Sequence, residues 1–268
     1  MKNIFDAAKD FEIIDFHTHP FLSAESNICV YKDCFDMRSS DIKAEMNSFG
    51  ISRIAGSVLF KDKERFSSPL EKIRESNRIS LELREELSDF YVPGFHIHPD
   101  YVEESIGEIR YMASRGVYLI GELVPYMDSW EAYDASGIFP ILDEAEKHGM
   151  TVSFHTMAPE TIDAMVASHP NVNFVAAHPG ERESLLLHVE RMKRYPNLYL
   201  DISGTGIFRY HAIKYLVSEV GSERVLFGTD YPICNPGVYV GGLLCEGFSE
   251  LELENIFSNN AKKLLRLK

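Results

Sequence analysis

The sequence predicts a single-domain α/β fold of the (β/α)8, or TIM-barrel, class, and three observations predict it. Short apolar runs alternate with longer amphipathic stretches eight times along 268 residues, the rhythm of parallel strands separated by crossover helices. That length suits one barrel whose core needs neither disulfides nor structural metal. The rival, a doubly wound open sheet, normally carries a Gly-rich phosphate turn after an early strand, and GxGxxG spacing is absent.

The predicted strands are 12–18, 51–60, 90–97, 117–123, 151–156, 172–178, 198–203 and 224–229. Each is brief and rich in Val, Ile, Leu or aromatics, as a strand covered on both faces should be. Between them the first helix spans 39–49, capped by Ser39, Ser40 or Asp41 and stopped by Gly50. The second, 69–88, opens on Pro69 and places Leu70, Ile73, Ile79, Leu83 and Leu87 on one face. A third clear helix, 137–149, ends at Gly149. Less sharply punctuated helices are expected at 100–115, 159–168, 181–195, 207–220 and 249–266. The least regular segments, 20–38 and 231–248, follow the first and last strands and overhang the C-terminal rim. Phe21, Tyr31, Phe35, Tyr239 and Phe248 make them apolar enough to fold down as walls or a lid.

Composition narrows the function. With 27 Lys+Arg against 41 Asp+Glu, the net charge of −14 disfavours nucleic acid or an anionic membrane as partner. Cys29, Cys34, Cys234 and Cys245 form no C-x2-C pair, so a zinc ribbon or thioredoxin-like site is not expected. The first residues lack the apolar core of a signal peptide, and no run is long enough to span a membrane. A cytoplasmic protein is expected, with homo-oligomerisation left open.

The chemistry gathers at strand ends. The first strand closes in His17-Thr18-His19, and alternation puts both imidazoles on one face, where they can chelate one cation. By the same alternation Asp15 should share that interior face, with Ile14, Phe16 and Thr18 packing under helices. Four more strands end in a residue able to bind metal or move protons: Glu122, His155, His178 and Asp230. A lone buried carboxylate at Glu122 would be costly without a cation or strong hydrogen bonds. Each of these residues singly has a structural explanation; five strand ends together do not.

These residues lie in HTHP at 17–20, GEL at 121–123, FHT at 154–156, AHPG at 177–180 and FGTDYP at 227–232. In that order the motifs resemble the amidohydrolase superfamily, and within it the amidohydrolase-related (amidohydrolase 2) group of TIM-barrel metal-dependent hydrolases. NIFSNNAKKLLRL at 255–267 is similar to that group's closing helix. The resemblance implies that His17 and His19 are a first-strand metal pair and His155 a fifth-strand ligand. It implies that His178 binds a second metal or acts as acid/base, and that Asp230 contacts metal and takes a proton from the attacking water. Glu122 stands where a carboxylated lysine is common, as in the TatD-like nuclease branch, and leaves the count at one or two divalent ions. Zinc is the first choice, with manganese or iron as alternatives.

The expected reaction is hydrolysis of a small-molecule amide, ester, lactone or phosphoester by water activated on the metal. The alternative is a mononuclear decarboxylase or hydratase of a small carboxylic acid; a third reading, of another class, is a non-catalytic metal-binding barrel. Tyr126, Arg182, Arg209 and His98, just beyond strand ends, are the candidates for holding substrate. His96 and His98 repeat the His-x-His spacing after the third strand, where the resemblance assigns no metal role.

Overall fold

The computed structural model describes residues 4–268. Its strands are β1 Ile14–Thr18, β2 Arg53–Gly56, β3 Tyr91–Phe95, β4 Leu119–Leu123, β5 Thr151–His155, β6 Asn173–Ala177, β7 Leu198–Asp201 and β8 Val225–Leu226. They form one parallel sheet in sequence order. The ring closes through Phe16 N–H to Phe227 O (2.9 Å), His19 N–H to Tyr231 O (2.7 Å) and Asp230 N–H to His17 O (2.8 Å). The structure is therefore the predicted (β/α)8 barrel.

The crossover helices are α1 Ile42–Ser48, α2 Pro69–Leu87, α3 Val102–Ser114, α4 Ile138–His148, α5 Pro159–Ser168, α6 Arg182–Arg194 and α7 Ala212–Val220. The closing helix, α8, joins Glu250–Glu254 to Asn260–Leu265 through a π-helical stretch, Asn255–Asn259. Punctuation works as read at α2, where Ser68 Oγ accepts the Glu71 amide and Pro69 starts the helix, and at α4, where Gly149 adopts the left-handed cap. At α1 none of Ser39, Ser40 or Asp41 caps: 39–41 is a 3-10 turn without a side-chain cap bond. The two rim segments differ. The 231–248 segment contains a helix, Pro236–Cys245, and buries Tyr239, whereas in 20–38 Phe21 is buried and Tyr31 and Phe35 stand exposed.

Two cores hold the barrel. Ile14, Phe16, Ala55, Leu119, Val175, Tyr199 and Leu226 form one buried cluster, sealed by Ala261, Leu264 and Leu265 of α8. Side chains from six different strands can meet only inside the ring, so this cluster fills the barrel below the site. Fully burying each leucine contributes on the order of 2 kcal/mol. Asn260 anchors α8 by donating to Ser222 O (2.7 Å) and Val225 O (2.8 Å). Alternate residues such as Ile54, Ile120, Val152, Phe154, Val225 and Phe227 belong to the larger core between strands and helices.

This corrects the expected facing of β1. Ile14 and Phe16 point into the barrel, and Asp15 is bonded to the Thr229 amide (3.0 Å) and hydroxyl (2.6 Å) in the β1–β8 seam. The pairing explains how His17 nevertheless points inward. From Asp15 to Thr18 β1 advances three residues while β2 advances two, Ile54 to Gly56. Such a bulge re-aims every side chain beyond it. β4 repeats the device, advancing three residues from Ile120 to Leu123 against two on β5, and so turns Glu122 to the interior although Leu119 also faces it.

Candidate metal centre

Above the inner cluster the strand ends converge. His17 and His19 bring their Nε2 atoms to 3.2 Å. Glu122 Oε2 lies 3.5 Å from each, and Asp230 Oδ1 lies 3.7 and 3.4 Å from them. The other Glu122 oxygen, Oε1, faces His155 Nδ1 at 2.9 Å and His178 Nε2 at 3.6 Å. Two donor groups result, His17–His19–Glu122 and Glu122–His155–His178, with Glu122 common to both. All six residues singled out at strand ends thus meet.

The rest of each imidazole decides what the facing atoms can do. His19 Nδ1 lies 2.9 Å from the Ser57 carbonyl, which only accepts, so Nδ1 carries the hydrogen and Nε2 presents a lone pair. His17 Nδ1 donates in the same way to Asp201 Oδ2 at 2.9 Å. Two lone pairs and two carboxylates therefore surround one point from which water is almost excluded: the His17 and His19 side chains are each 2% exposed. That arrangement requires positive charge. Burial disfavours a charged His17, yet the Asp201 and Glu122 carboxylates outweigh it and raise its pKa well above the usual range. Burial likewise works against an ionised Glu122, and His17 with the bonds from His155, His17 and His19 holds it well below the normal carboxylate range. A divalent cation fits this donor set, with His17, His19, Glu122 and Asp230 to hold it and His155 within reach.

His178 is supported differently. The Ser203 hydroxyl donates to Asp201 Oδ1, so Ser203 Oγ is left to accept from His178 Nδ1 at 3.0 Å. That leaves His178 Nε2 bare and aimed at the centre. Burial lowers the His178 pKa and outweighs the attraction of Glu122. The His178 and His155 side chains are 15% and 27% exposed, against 2% for His17 and His19, so the centre opens on the β5–β6 side. Two glycines make the fit. A Cβ on Gly204 would come within 2.3 Å of His178 Nδ1, and one on Gly228 within 2.8 Å of His17 Cβ.

Sequence reasoning missed Asp201 and Ser203, which orient His17 and His178 from the end of β7. The available signal was LYLDIS at 198–203, an apolar strand closed by an acid just as Asp230 closes the β8 segment. The Ser57 carbonyl, a main-chain group, left no trace in the residue types.

The substrate candidates disperse. Tyr126 stands half-exposed at the mouth, its ring centroid 5.7 Å from that of His155. Arg182 and Arg209 line a cleft of about 540 Å³ with Leu185, Tyr210 and Tyr215 of the α6 and α7 segments. There Glu181 holds the Arg209 guanidinium through two bonds of 2.9 and 3.0 Å. His98 is buried with both ring nitrogens engaged, Nε2 with Asp128 O (3.0 Å) and Nδ1 with the Asp100 amide (3.1 Å).

Known proteins agree with this architecture. Residues 14–267 match the amidohydrolase (amidohydrolase 2) family model. Among solved structures, a 2,6-dihydroxybenzoate decarboxylase from Rhizobium is 17% identical, with TM-score 0.72 over 96% of this chain and 99% of that one. A structure assigned as a 2-pyrone-4,6-dicarboxylic acid hydrolase from Pseudomonas putida is 17% identical, with TM-score 0.69 over 96% and 98%. A dihydroxybenzoic acid decarboxylase from Polaromonas, with bound manganese and 2-nitroresorcinol, is 14% identical, with TM-score 0.68 over 96% and 97%. At these identities the likeness is one of fold. The family match, which spans nearly the whole chain, carries more: the protein is a TIM-barrel enzyme of the amidohydrolase family.

Proposed function

We propose that this enzyme holds a single divalent cation and decarboxylates a small carboxylic acid. The observation behind the reading is the asymmetry of the centre. His17, His19, Glu122 and Asp230 enclose one point, while His178 stands on the open side, fixed by Ser203 and Asp201. When bound, the cation neutralises a substrate carboxylate and draws electron density away from the carbon that carries it. His178 serves as the proton donor. Its Nδ1 is committed to Ser203, so the proton it exchanges sits on Nε2; burial disfavours the charged ring, so that proton is readily given up. Delivered to the carbon that releases CO2, it replaces the lost bond, and His178 takes up a new proton from solvent on its exposed side. Tyr126 at the mouth offers an aromatic face to a flat substrate. The two decarboxylases of the same fold, one with manganese bound, support the choice of reaction and favour manganese among the candidate ions.

Hydrolysis is the second reading, and one observation favours it: Glu122 divides its oxygens between two donor groups, which suits a bridge between two ions and a water activated on them. Metal content and product together distinguish the readings. The proposal expects about one ion per chain, in protein purified without chelators, and CO2 release from one of a panel of small aromatic and dicarboxylic acids. About two ions, no CO2 from any acid and turnover of a lactone or amide would overturn it in favour of hydrolysis.

A further inference from the structure

Beside the centre lies a buried ionic group that the proposed reaction does not use. Lys72, on α2, reaches across the barrel rim to donate to Met127 O (2.6 Å) and Asp128 Oδ1 (2.8 Å), in the one-turn helix Pro125–Asp128 that follows β4. Both side chains are 3% exposed. The other oxygen of Asp128, Oδ2, faces His96 Nδ1 at 3.7 Å, and neither atom has a hydrogen-bond partner among the described residues. Replacing such a buried ion pair by apolar residues is often neutral for stability, so its retention calls for another explanation.

The contacts supply one. His96 Nε2 donates to the Val58 carbonyl at 2.9 Å, and the preceding carbonyl, Ser57, is the one that holds His19 Nδ1. Asn77, also on α2, clamps the His96 backbone in both directions, accepting its amide (2.7 Å) and donating to its carbonyl (3.0 Å). One helix thus grips the ends of β3 and β4, and His96 grips the end of β2 between them. We propose that Lys72, Asp128 and His96 are positioning residues for His19: they fix the Ser57 carbonyl where it sets the tautomer and ring direction of the metal-facing imidazole. Partners of this kind behind a ligand are worth ~10–100-fold in metal affinity. The inference rests on the reading of His17, His19 and Glu122 as the cation-holding set.

The test is Lys72→Met/Asp128→Leu, which removes both charges together and leaves neither buried alone. Circular dichroism and Tm report the fold; chelator competition with Mn2+ and the absorption spectrum of the Co2+-loaded protein report the centre. The double variant is expected to keep Tm within a few degrees while Mn2+ affinity falls ~10–100-fold and the Co2+ bands shift. Wild-type affinity and an unchanged Co2+ spectrum overturn the inference. Should the double variant fail to fold, His96→Gln and His96→Ala carry the test. The glutamine amide can still donate to Val58 O and should preserve affinity that alanine loses; equal affinities overturn the inference. Wild-type protein that binds neither ion overturns the reading of the site itself, a result distinct from a failure of the positioning group alone.

Discussion

His17 and His19 end β1, and His96 and His98 follow β3, with the same spacing and nearly the same burial. What separates the pairs is which ring nitrogens their outside partners take. In the first pair Nδ1 is held, by Asp201 and by the Ser57 carbonyl, and both Nε2 atoms face carboxylates across an almost dry gap. In the second pair Nε2 is held, by the Val58 and Asp128 carbonyls, and the two Nδ1 atoms part company. That of His98 accepts a main-chain amide, and that of His96 meets Asp128. A His-x-His segment thus becomes a chelating pair when outside partners hold the same nitrogen of both rings and leave the other two converging. The β1 bulge provides that convergence, and the pairing of β3 with β4 shows no such register shift.

The contrast predicts its largest effect on the ligands themselves. His17→Ala with His19→Ala should abolish stoichiometric metal binding by elemental analysis, while circular dichroism still reports a folded barrel. His98→Ala should leave metal content unchanged and instead cost roughly 1–3 kcal/mol in denaturant unfolding, because it strips the partner from the buried Asp128 carbonyl and from the part-buried Asp100 amide. Equal metal content in the two variants would erase the distinction between the pairs.

A second, smaller effect separates holding from ligation. Asp201→Asn keeps the shape behind His17 but removes the charge that favours the Nδ1–H tautomer, and it also weakens the Ser203 link to His178. Chelator competition should show metal affinity lower by ~10–100-fold, with the chain still folded. Next comes the ion itself. If the charge at the centre is meant to be met by a cation, then chelation should lower Tm and readdition should restore it. At a free metal concentration of 100 times Kd the difference amounts to about 2.7 kcal/mol. A Tm indifferent to chelator would argue against a native-state metal site.

How far the sequence discloses this molecule follows from what side-chain type can encode. Barrel order and the β5 and β8 facings follow from apolar periodicity: Val152 and Phe154 lie outside the barrel and His155 inside, as alternation requires. Alternation failed at β1 because a bulge is a property of pairing, and nothing in IDFHT announces the extra residue. The six converging strand-end residues were visible because ionisable groups are conspicuous at the ends of apolar runs. Their supports were less so: Asp201 and Ser203 are ordinary residues at a strand end, and the Ser57 group that matters is a carbonyl every residue possesses. The rim was the least readable part. Arg182, Arg209 and His98 were placed by sequence proximity to strand ends, whereas loop paths decide where such side chains go, and Glu181 and Asp128 occupy two of them.

The last prediction concerns a histidine that neither pair contains. His188, on α6, is buried with Nε2 3.3 Å from Thr156 Oγ1, directly after His155 in the chain. No carboxylate among the described residues is bonded to it, so burial, reinforced by Arg191, outweighs the more distant pull of Asp201 and depresses its pKa to about 4. The unfolded chain takes up this proton near the usual histidine value of about 6.5, so between roughly pH 6.5 and 4 the unfolded state binds more protons than the folded one. The contribution is therefore fully present above pH 6.5 and is lost as pH falls toward 4, by roughly 3 kcal/mol in all. His188→Gln cannot titrate and should flatten that part of the stability curve, measured by denaturant unfolding of the metal-free protein across the same range. Identical acid slopes in the two proteins would show that His188 takes up its proton in the fold as easily as in the unfolded chain. The contrast with His17 is then complete: in one barrel, a buried imidazole facing carboxylates attracts positive charge, and one facing a hydroxyl and a guanidinium refuses it.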